Sequence, residues 1–122
     1  MKPAPFFPIQ NSKPGPIGIL DVRTYTVKHG ATADFLKAYA ENGLPVQQKH
    51  LGHNVGYFVS DIGPLNQVLH IWAYPSVEER ARRRQAMNED PQWPVYLERG
   101  TALLQSMENS LMVPAPFWQP NG

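Results

Sequence analysis

The chain has 122 residues, of which 42% are hydrophobic, and 11 Lys and Arg against 10 Asp and Glu give a formal net charge of +1. This is the length of one domain with enough apolar residues for a packed core, and it is too short for a (β/α)8 barrel. Balanced charge gives no general attraction to nucleic acid or anionic membrane, and the absence of cysteine excludes disulfides and thiolate chemistry.

Proline marks both ends, with five prolines in the first sixteen residues and three in the last nine. Proline lacks a backbone donor and fixes φ, so it disfavours regular ladders. We therefore predict a proline-rich arm (1–17), one domain (18–113) and a proline-rich tail (114–122). Because the tail carries Phe117 and Trp118, we expect it to lie on its own domain or on a partner. Without a signal peptide or a membrane span in the sequence, the expected location is cytoplasmic.

The first half of the domain predicts one strand and a broken helix. Ile19–Val27 is rich in β-branched and aromatic residues, which favours a strand. Thr32 is placed to cap a helix. Gly43 and Pro45 are expected to interrupt this helix, and Val46–His50 to form a second short helical piece.

A hairpin and a further helix follow. Asn54–Ser60 and Asn66–Tyr74 read as strands joined by a turn at Asp61–Pro64. Ser76, followed by Glu79, has the spacing of a capping box, and the helix that it begins is expected to end near Asp90.

The last helix is predicted from an apolar stripe at helical spacing, and it is expected to run through Met107 before a short strand at Leu111–Val113. Close packing of backbone against the sheet is the expected reason for a glycine within the stripe. The stripe consists of Trp93, Tyr96, Leu97, Gly100, Leu103, Leu104 and Met107.

The predicted order is βαββαβ, which is the ferredoxin-like arrangement of the α+β class. Its helices cover one face of a four-stranded antiparallel sheet. The other face needs cover, and a second copy of the chain is the simplest way to provide it. We therefore predict a homodimer in which two sheets face each other.

Eight segments of the domain have a familiar combination of residues: Asp21–Val27, Gly43–Val46, Leu51–Gly52, Val55–Phe58, Gly63–Tyr74, Arg80–Arg84, Asp90–Trp93 and Glu108–Phe117. On these segments, about residues 19–117 resemble the NIPSNAP family, and the stretch Gly63–Tyr74 is the most specific part. The resemblance implies a dimeric α+β barrel of ferredoxin-like protomers. Relatives in this superfamily include monooxygenases that need no separate cofactor, haem-degrading enzymes and ligand-binding proteins, while NIPSNAP proteins have no settled activity. No cofactor is predicted.

Strand alternation predicts a polar and aromatic group on one side of the two central strands. Arg23 and Tyr25 share one side of the first strand, and His70, Trp72 and Tyr74 share one side of the third. If the two sides coincide, these five residues line one site; a slip of one residue would separate them.

In such a site Arg23 would bind a carboxylate or phenolate, His70 would be the candidate catalytic acid or base, and the aromatic side chains would stack on a planar ligand. Asn66, at the start of the strand, would add a hydrogen bond. A structural interpretation stays open: Arg23 can pair with Asp21 or with a partner's carboxylate, and His70 can be a satisfied core histidine.

Two other polar motifs have simpler interpretations. His50 and His53 form an HxxH, but Gly52 argues against a shared helical face and no third ligand is evident, so no metal site is predicted. The arginines at positions 80 and 82–84 are flanked by glutamates and lack interleaved aromatics, so no nucleic-acid binding is predicted. Arg80 and Arg84 would share one side of their helix, and a solvated helix with Glu–Arg pairs is expected, or one arginine reaching inward to a carboxylate.

Three functions remain open from the sequence. The first is a NIPSNAP-like homodimer that binds a small aromatic ligand or a protein partner. The second is a monooxygenase-like enzyme of the dimeric α+β barrel type, acting on an aromatic or planar substrate with His70, Trp72 and Tyr25 in its pocket. The third is a scaffold whose aromatic arm and tail dock on another protein.

Overall fold

A computed structural model of the protein describes residues 15–120, so most of the predicted arm lies outside the described residues. The strands form one antiparallel sheet in the order β2-β3-β1-β4, which confirms the ferredoxin-like α+β fold. The elements are β1 (Ile19–Val27), α1 (Thr32–Ala38), α2 (Leu44–His50), β2 (His53–Val59), β3 (Gln67–Tyr74), α3 (Val77–Glu89), α4 (Trp93–Gly100) and β4 (Leu104–Met112).

Strand β1 occupies the centre of the sheet, between β3 and β4. Its observed bounds are those predicted from its β-branched and aromatic composition. In the pairing with β3, Arg23 lies opposite His70. In the pairing with β4, Leu20 lies opposite Met112, so the start of β1 and the end of β4 are neighbours.

The first helical region consists of two short α-helices, as predicted, with no loop between them. A π-helical turn, Tyr39–Gly43, joins α1 directly to α2. Pro45 lies in the first turn of α2, where a missing backbone N–H costs little. The predicted cap is wrong: Ala31 precedes the helix, and the Thr32 hydroxyl donates to Asn66 Oδ1 at 3.4 Å instead.

Helix α3 follows its sequence signals closely. Ser76 caps it by accepting a hydrogen bond from the Glu79 backbone N–H at 3.1 Å, and the helix ends at Glu89. Glu79 also pairs with Arg82 and Arg83, which confirms the expected Glu–Arg pairs. Arg82 is exposed, whereas Arg83 is part-buried and donates to the Leu51 carbonyl at 2.9 Å.

The predicted helix through Met107 is wrong in its second half. Helix α4 ends at Gly100, a 3-10 turn covers Thr101–Leu103, and β4 begins at Leu104, earlier than the expected strand. The apolar side chains at helical spacing gave no local means to tell the two structures apart. Pairing with the free edge of β1 selects the strand, because it satisfies the backbone hydrogen-bonding groups of the whole segment.

The core lies between the sheet and the helices. The opposite face of the sheet carries the part-buried Leu20, Val22, Leu69 and Ile71. No helix among residues 15–120 is long and apolar enough to cross a membrane. The largest fully buried apolar side chains of the core are Val27, Phe35, Leu51, Val68, Trp72, Tyr74 and Met87.

Candidate functional site

The polar and aromatic residues of the two central strands face the helices together. Direct pairing of Arg23 with His70 places Tyr25, Trp72 and Tyr74 on this same side, so the predicted sharing of one face is confirmed. Asn66 does not join them. It precedes β3 by one residue, about 13 Å along the chain from His70 at about 3.3 Å per residue, and its side chain contacts Thr32.

His70 is the buried centre of this face. The Trp72 indole N–H donates to His70 Nδ1 at 2.9 Å, so the neutral ring carries its proton on Nε2. Burial, followed by the charge of Arg23, lowers the pKa of His70 to about 3, so the ring stays neutral at physiological pH. Nε2 is buried and has no hydrogen-bond partner in the described part of the chain. His70 therefore presents a buried N–H donor and no free lone pair.

Three tyrosines, Tyr25, Tyr39 and Tyr57, surround His70, and Tyr96 packs against Tyr39; we call these four tyrosines the ring cluster. The Tyr57 ring stacks on His70 with centroids 4.6 Å apart, and the Tyr25 ring meets it edge-on at 4.9 Å. Tyr39 lies 6.0 Å from His70, and Tyr96 lies 5.7 Å from Tyr39. The imidazole is thus enclosed by aromatic faces and edges.

The helices position the ring cluster through glycines. A Cβ on Gly43 would lie 2.8 Å from a ring carbon of Tyr96 and 2.9 Å from one of Tyr39, and a Cβ on Gly100 would lie 2.5 Å from the Tyr96 ring. Gly100 therefore makes room for Tyr96 rather than for the sheet, which corrects the sequence-based interpretation. Gly43 belongs to the π-helical turn that carries Tyr39.

The tyrosine hydroxyls of the ring cluster differ in their partners. Tyr39 donates to Gln47 Oε1, and Tyr25 accepts from Arg23 Nε at 3.2 Å. The hydroxyl of Tyr57 is buried and lacks a partner among residues 15–120. Burial raises the pKa of Tyr39, Tyr57 and Tyr96 above the usual value, so these phenols stay protonated.

A charged network lies beside the ring cluster on the same face, centred on the buried Asp21. Its carboxylate accepts hydrogen bonds from Arg23 at 3.1 Å, Arg80 at 3.0 Å and Asn109 at 3.0 Å. Burial alone would raise the pKa of Asp21, but the Asn109 hydrogen bond and the charges of Arg23 and Arg80 outweigh burial and lower it. These four residues, the Asp21 network, join β1, β4 and α3.

The network decides between the two interpretations of Arg23. Its guanidinium is paired with Asp21 and bonded to Tyr25, which is the structural alternative foreseen from the sequence. Trp72 is fully buried and bonded to His70, so it holds the imidazole in place rather than offering a stacking surface. His70, in contrast, is not fully satisfied.

The inner side of α3 adds residues that the sequence analysis did not assign to the site. Arg80 and Arg84, one turn apart, both turn toward the sheet. Arg84 Nη1 and the Tyr74 hydroxyl are buried without a partner in the described range 15–120. Burial raises the pKa of Tyr74 to about 12, so it is a donor at neutral pH. The spacing of Arg80 and Arg84 was the available signal.

The two histidines of the HxxH motif, His50 and His53, lie in different surroundings. His50 Nε2 lies 2.8 Å from Asp90 Oδ2, linking the end of α2 to the turn between α3 and α4. His53 starts β2. Over residues 15–120 no three His, Cys, Asp or Glu side chains are grouped as a metal site would require.

Fold and site together define a ferredoxin-like α+β protein with an aromatic, donor-lined centre between sheet and helices. The family model NIPSNAP matches residues 20–119. The chain belongs to the NIPSNAP family. It is 36% identical over 115 residues to a NipSnap homologue of Dictyostelium discoideum, covering 91% of this chain and 49% of that protein. The chain spans about half or less of the length of the curated relatives it matches.

Solved structures agree with this assignment. A NIPSNAP family protein of unknown function from Agrobacterium tumefaciens superimposes with a TM-score of 0.79 at 39% identity, covering 88% of this chain and 96% of that one. A putative antibiotic biosynthesis monooxygenase from Nitrosomonas europaea shares the fold, with a TM-score of 0.58 at 14% identity over 82% of this chain and 99% of that one.

Proposed function

We propose that this NIPSNAP protein is a homodimer that binds a planar aromatic small molecule between the helices and the sheet, against His70. One observation carries the proposal: His70 Nε2 and the Tyr57 hydroxyl are both buried in the ring cluster, yet neither has a partner among residues 15–120. Buried polar atoms are nearly always hydrogen-bonded, because an unmade bond costs the full desolvation of the group.

The chemistry of the two groups selects the ligand. His70 offers an N–H, and the Tyr57 hydroxyl can donate or accept. A ligand oxygen bound by both would satisfy them. The stacked ring of Tyr57 and the edge-on ring of Tyr25 favour a flat, apolar body attached to that oxygen. The site therefore suits a hydroxylated or carbonyl-bearing aromatic compound.

The homodimer rests on the face of the sheet that the helices leave open. Leu20, Val22, Leu69 and Ile71 lie on it, and Phe58 and Met112 are 55% and 51% exposed. A contiguous apolar face of this kind favours burial against a second copy, whose identical face would meet it by two-fold symmetry. A cytoplasmic location and the arm, domain and tail boundaries stay predictions.

Equilibrium dialysis with 2-naphthol, with naphthalene as the reference that lacks an oxygen, tests the ligand proposal. We expect 2-naphthol to bind more tightly, and His70→Asn to weaken it about tenfold, the effect of about one lost hydrogen bond. Asparagine keeps an acceptor for Trp72 but has no Nε2. The matched control, His50→Asn, alters a histidine outside the ring cluster and should leave binding unchanged. Equal binding of 2-naphthol by His70→Asn and wild type would overturn the proposal.

A second candidate is an enzyme of the monooxygenase type, and the orphaned His70 N–H supports it. In this reaction O2 oxidises a phenol to a quinone: one oxygen atom enters the ring, and the other leaves as water with the two hydrogens removed. A neutral N–H donor would stabilise negative charge developing on the phenol oxygen. The fold shared with a putative monooxygenase is compatible with this candidate.

Oxygen consumption separates the two candidates. Incubation of the protein with naphthols and other phenols in an oxygen electrode should show stoichiometric O2 uptake and a quinone absorbance if the protein is an enzyme, and His70→Asn should abolish both. Tight binding of the same phenols with no O2 uptake leaves the binding protein as the function.

A further inference from the structure

We infer that the ligand carries a carboxylate, and that Arg84 and Tyr74 bind it in an anion subsite on the same face of the sheet as His70, about 13 Å along β3 at about 3.3 Å per residue. The inference rests on the proposed function, since it adds a second recognition point to the same ligand. Both side chains reach the helix-facing side of the sheet, Tyr74 from the end of β3 and Arg84 from the inner side of α3.

The local charge is unbalanced. Three guanidiniums, those of Arg23, Arg80 and Arg84, lie near one carboxylate, that of Asp21. Arg23 and Arg80 both bond to Asp21, whereas Arg84 forms no such pair. His70 is neutral and therefore adds no charge of either sign. The neighbourhood therefore holds excess positive charge that an anionic group would neutralise.

Free donors mark the place where that anion would bind. Arg84 Nη1 and the Tyr74 hydroxyl, both buried, have no acceptor within residues 15–120. Arg84 lies close enough to Tyr74 and to His70 for its charge to act on both, while Tyr74 lies four residues from His70 along β3. Burial, followed by the charge of Arg23, lowers the pKa of Arg84.

The donor set favours a carboxylate. A guanidinium and a phenol supply planar, charge-assisted hydrogen bonds that match the two oxygens of a carboxylate. A phosphate monoester carries up to two charges and three acceptor oxygens, more than these two groups satisfy. The ligand class is thus a flat aromatic carboxylate with a second oxygen that reaches His70.

Dialysis with 6-hydroxy-2-naphthoate and its neutral methyl ester tests the inference, and 2-naphthyl phosphate tests the other oxyanion. We expect the acid to bind wild type at least tenfold more tightly than either competitor, a typical gain from a charge-assisted hydrogen bond. Arg84→Met should remove this preference, and Tyr74→Phe should reduce it. Arg82→Met, on the exposed side of the same helix, is the matched control and should keep it.

A second readout separates a binding role from a structural one. Because Arg84 is an uncompensated charge in the free protein, Arg84→Met should raise the melting temperature without ligand and abolish the further rise that 6-hydroxy-2-naphthoate gives wild type. A fall in melting temperature without ligand would mean a structural arginine and would overturn the inference.

The outcomes also distinguish this inference from the proposed function. If 2-naphthol binding depends on His70 but the acid binds no better than its ester, the anion subsite is wrong and the proposed function stands. If the acid depends on Arg84 while 2-naphthol ignores His70, the subsite stands and the proposed function is wrong. Tighter binding of the phosphate than of the acid would overturn the carboxylate class.

Discussion

Two polar regions lie on the helix-facing side of the sheet, the Asp21 network and the surroundings of His70. They contain similar residues but differ in how fully their buried polar atoms are hydrogen-bonded. In the Asp21 network, the carboxylate accepts three hydrogen bonds from three different elements. Two residues along the pairing of β1 with β3, His70 has one ring nitrogen bonded and the other without a partner in the described residues. A completed buried network holds a fold together, whereas an incomplete one leaves buried polar atoms that need a partner, and the proposed ligand would supply it.

Neutralising Asp21 should have the largest effect on this comparison. Asp21→Asn keeps the shape but leaves Arg23 and Arg80 without a countercharge, so we expect a loss of about 3–5 kcal/mol in the free energy of unfolding. Urea denaturation measures it. Glu41→Gln, at an exposed pair with Arg99, is the control and should change the free energy of unfolding far less, because solvent screens exposed ion pairs. A loss at Asp21 no larger than the control would mean that the network is not structural.

The pH dependence of the free energy of unfolding should report the burial of the neutral His70 ring. His70 has a pKa of about 3 when folded and about 6.5 when unfolded, so the unfolded state binds the extra proton between these values. Stability from this group is complete above about pH 6.5 and falls by about 1.4 kcal/mol per pH unit as the pH drops toward 3. Denaturation of wild type and His70→Asn at pH 7 and pH 5 isolates this part. Parallel losses in the two proteins would contradict it.

The smallest expected effect is the difference in stability between variants of two neighbouring tyrosines. Tyr39→Phe removes a hydroxyl bonded to Gln47 and should cost about 1 kcal/mol, whereas Tyr57→Phe removes a hydroxyl without a partner and should be neutral or stabilising. Thermal unfolding of both variants under one condition checks the sign. If Tyr57→Phe is the more damaging change, its hydroxyl is satisfied and is no ligand group.

The sequence was most informative where a pattern has only two outcomes. Side chains alternate along a strand, so the composition of β1 and β3 restricted Arg23 and His70 to the same face or to opposite faces. The topology then made the two strands neighbours. Their direct pairing confirms both steps.

The features that the sequence did not predict depend on contacts between elements that are distant along the chain. Leu104 and Met107 fit a helical stripe as well as a strand, and only the exposed edge of β1 selects the strand. Tyr96 fits the apolar stripe of a helix, and nothing local shows that its ring packs on Tyr39 or that Tyr39 lies against His70. The roles of Trp72 and Arg84 depend equally on which neighbour meets each nitrogen, and spacing along the chain does not encode that.

The pairing of Leu20 with Met112 has a practical consequence for engineering. The domain begins and finishes on adjacent strands at one end of the sheet, so a short linker would close the chain into a ring. The exposed turn at residues 61–65 offers a new opening far from that junction in sequence. Circular permutation at this turn would leave the central strands β1 and β3 uncut, and any fused tag would then be attached at the turn.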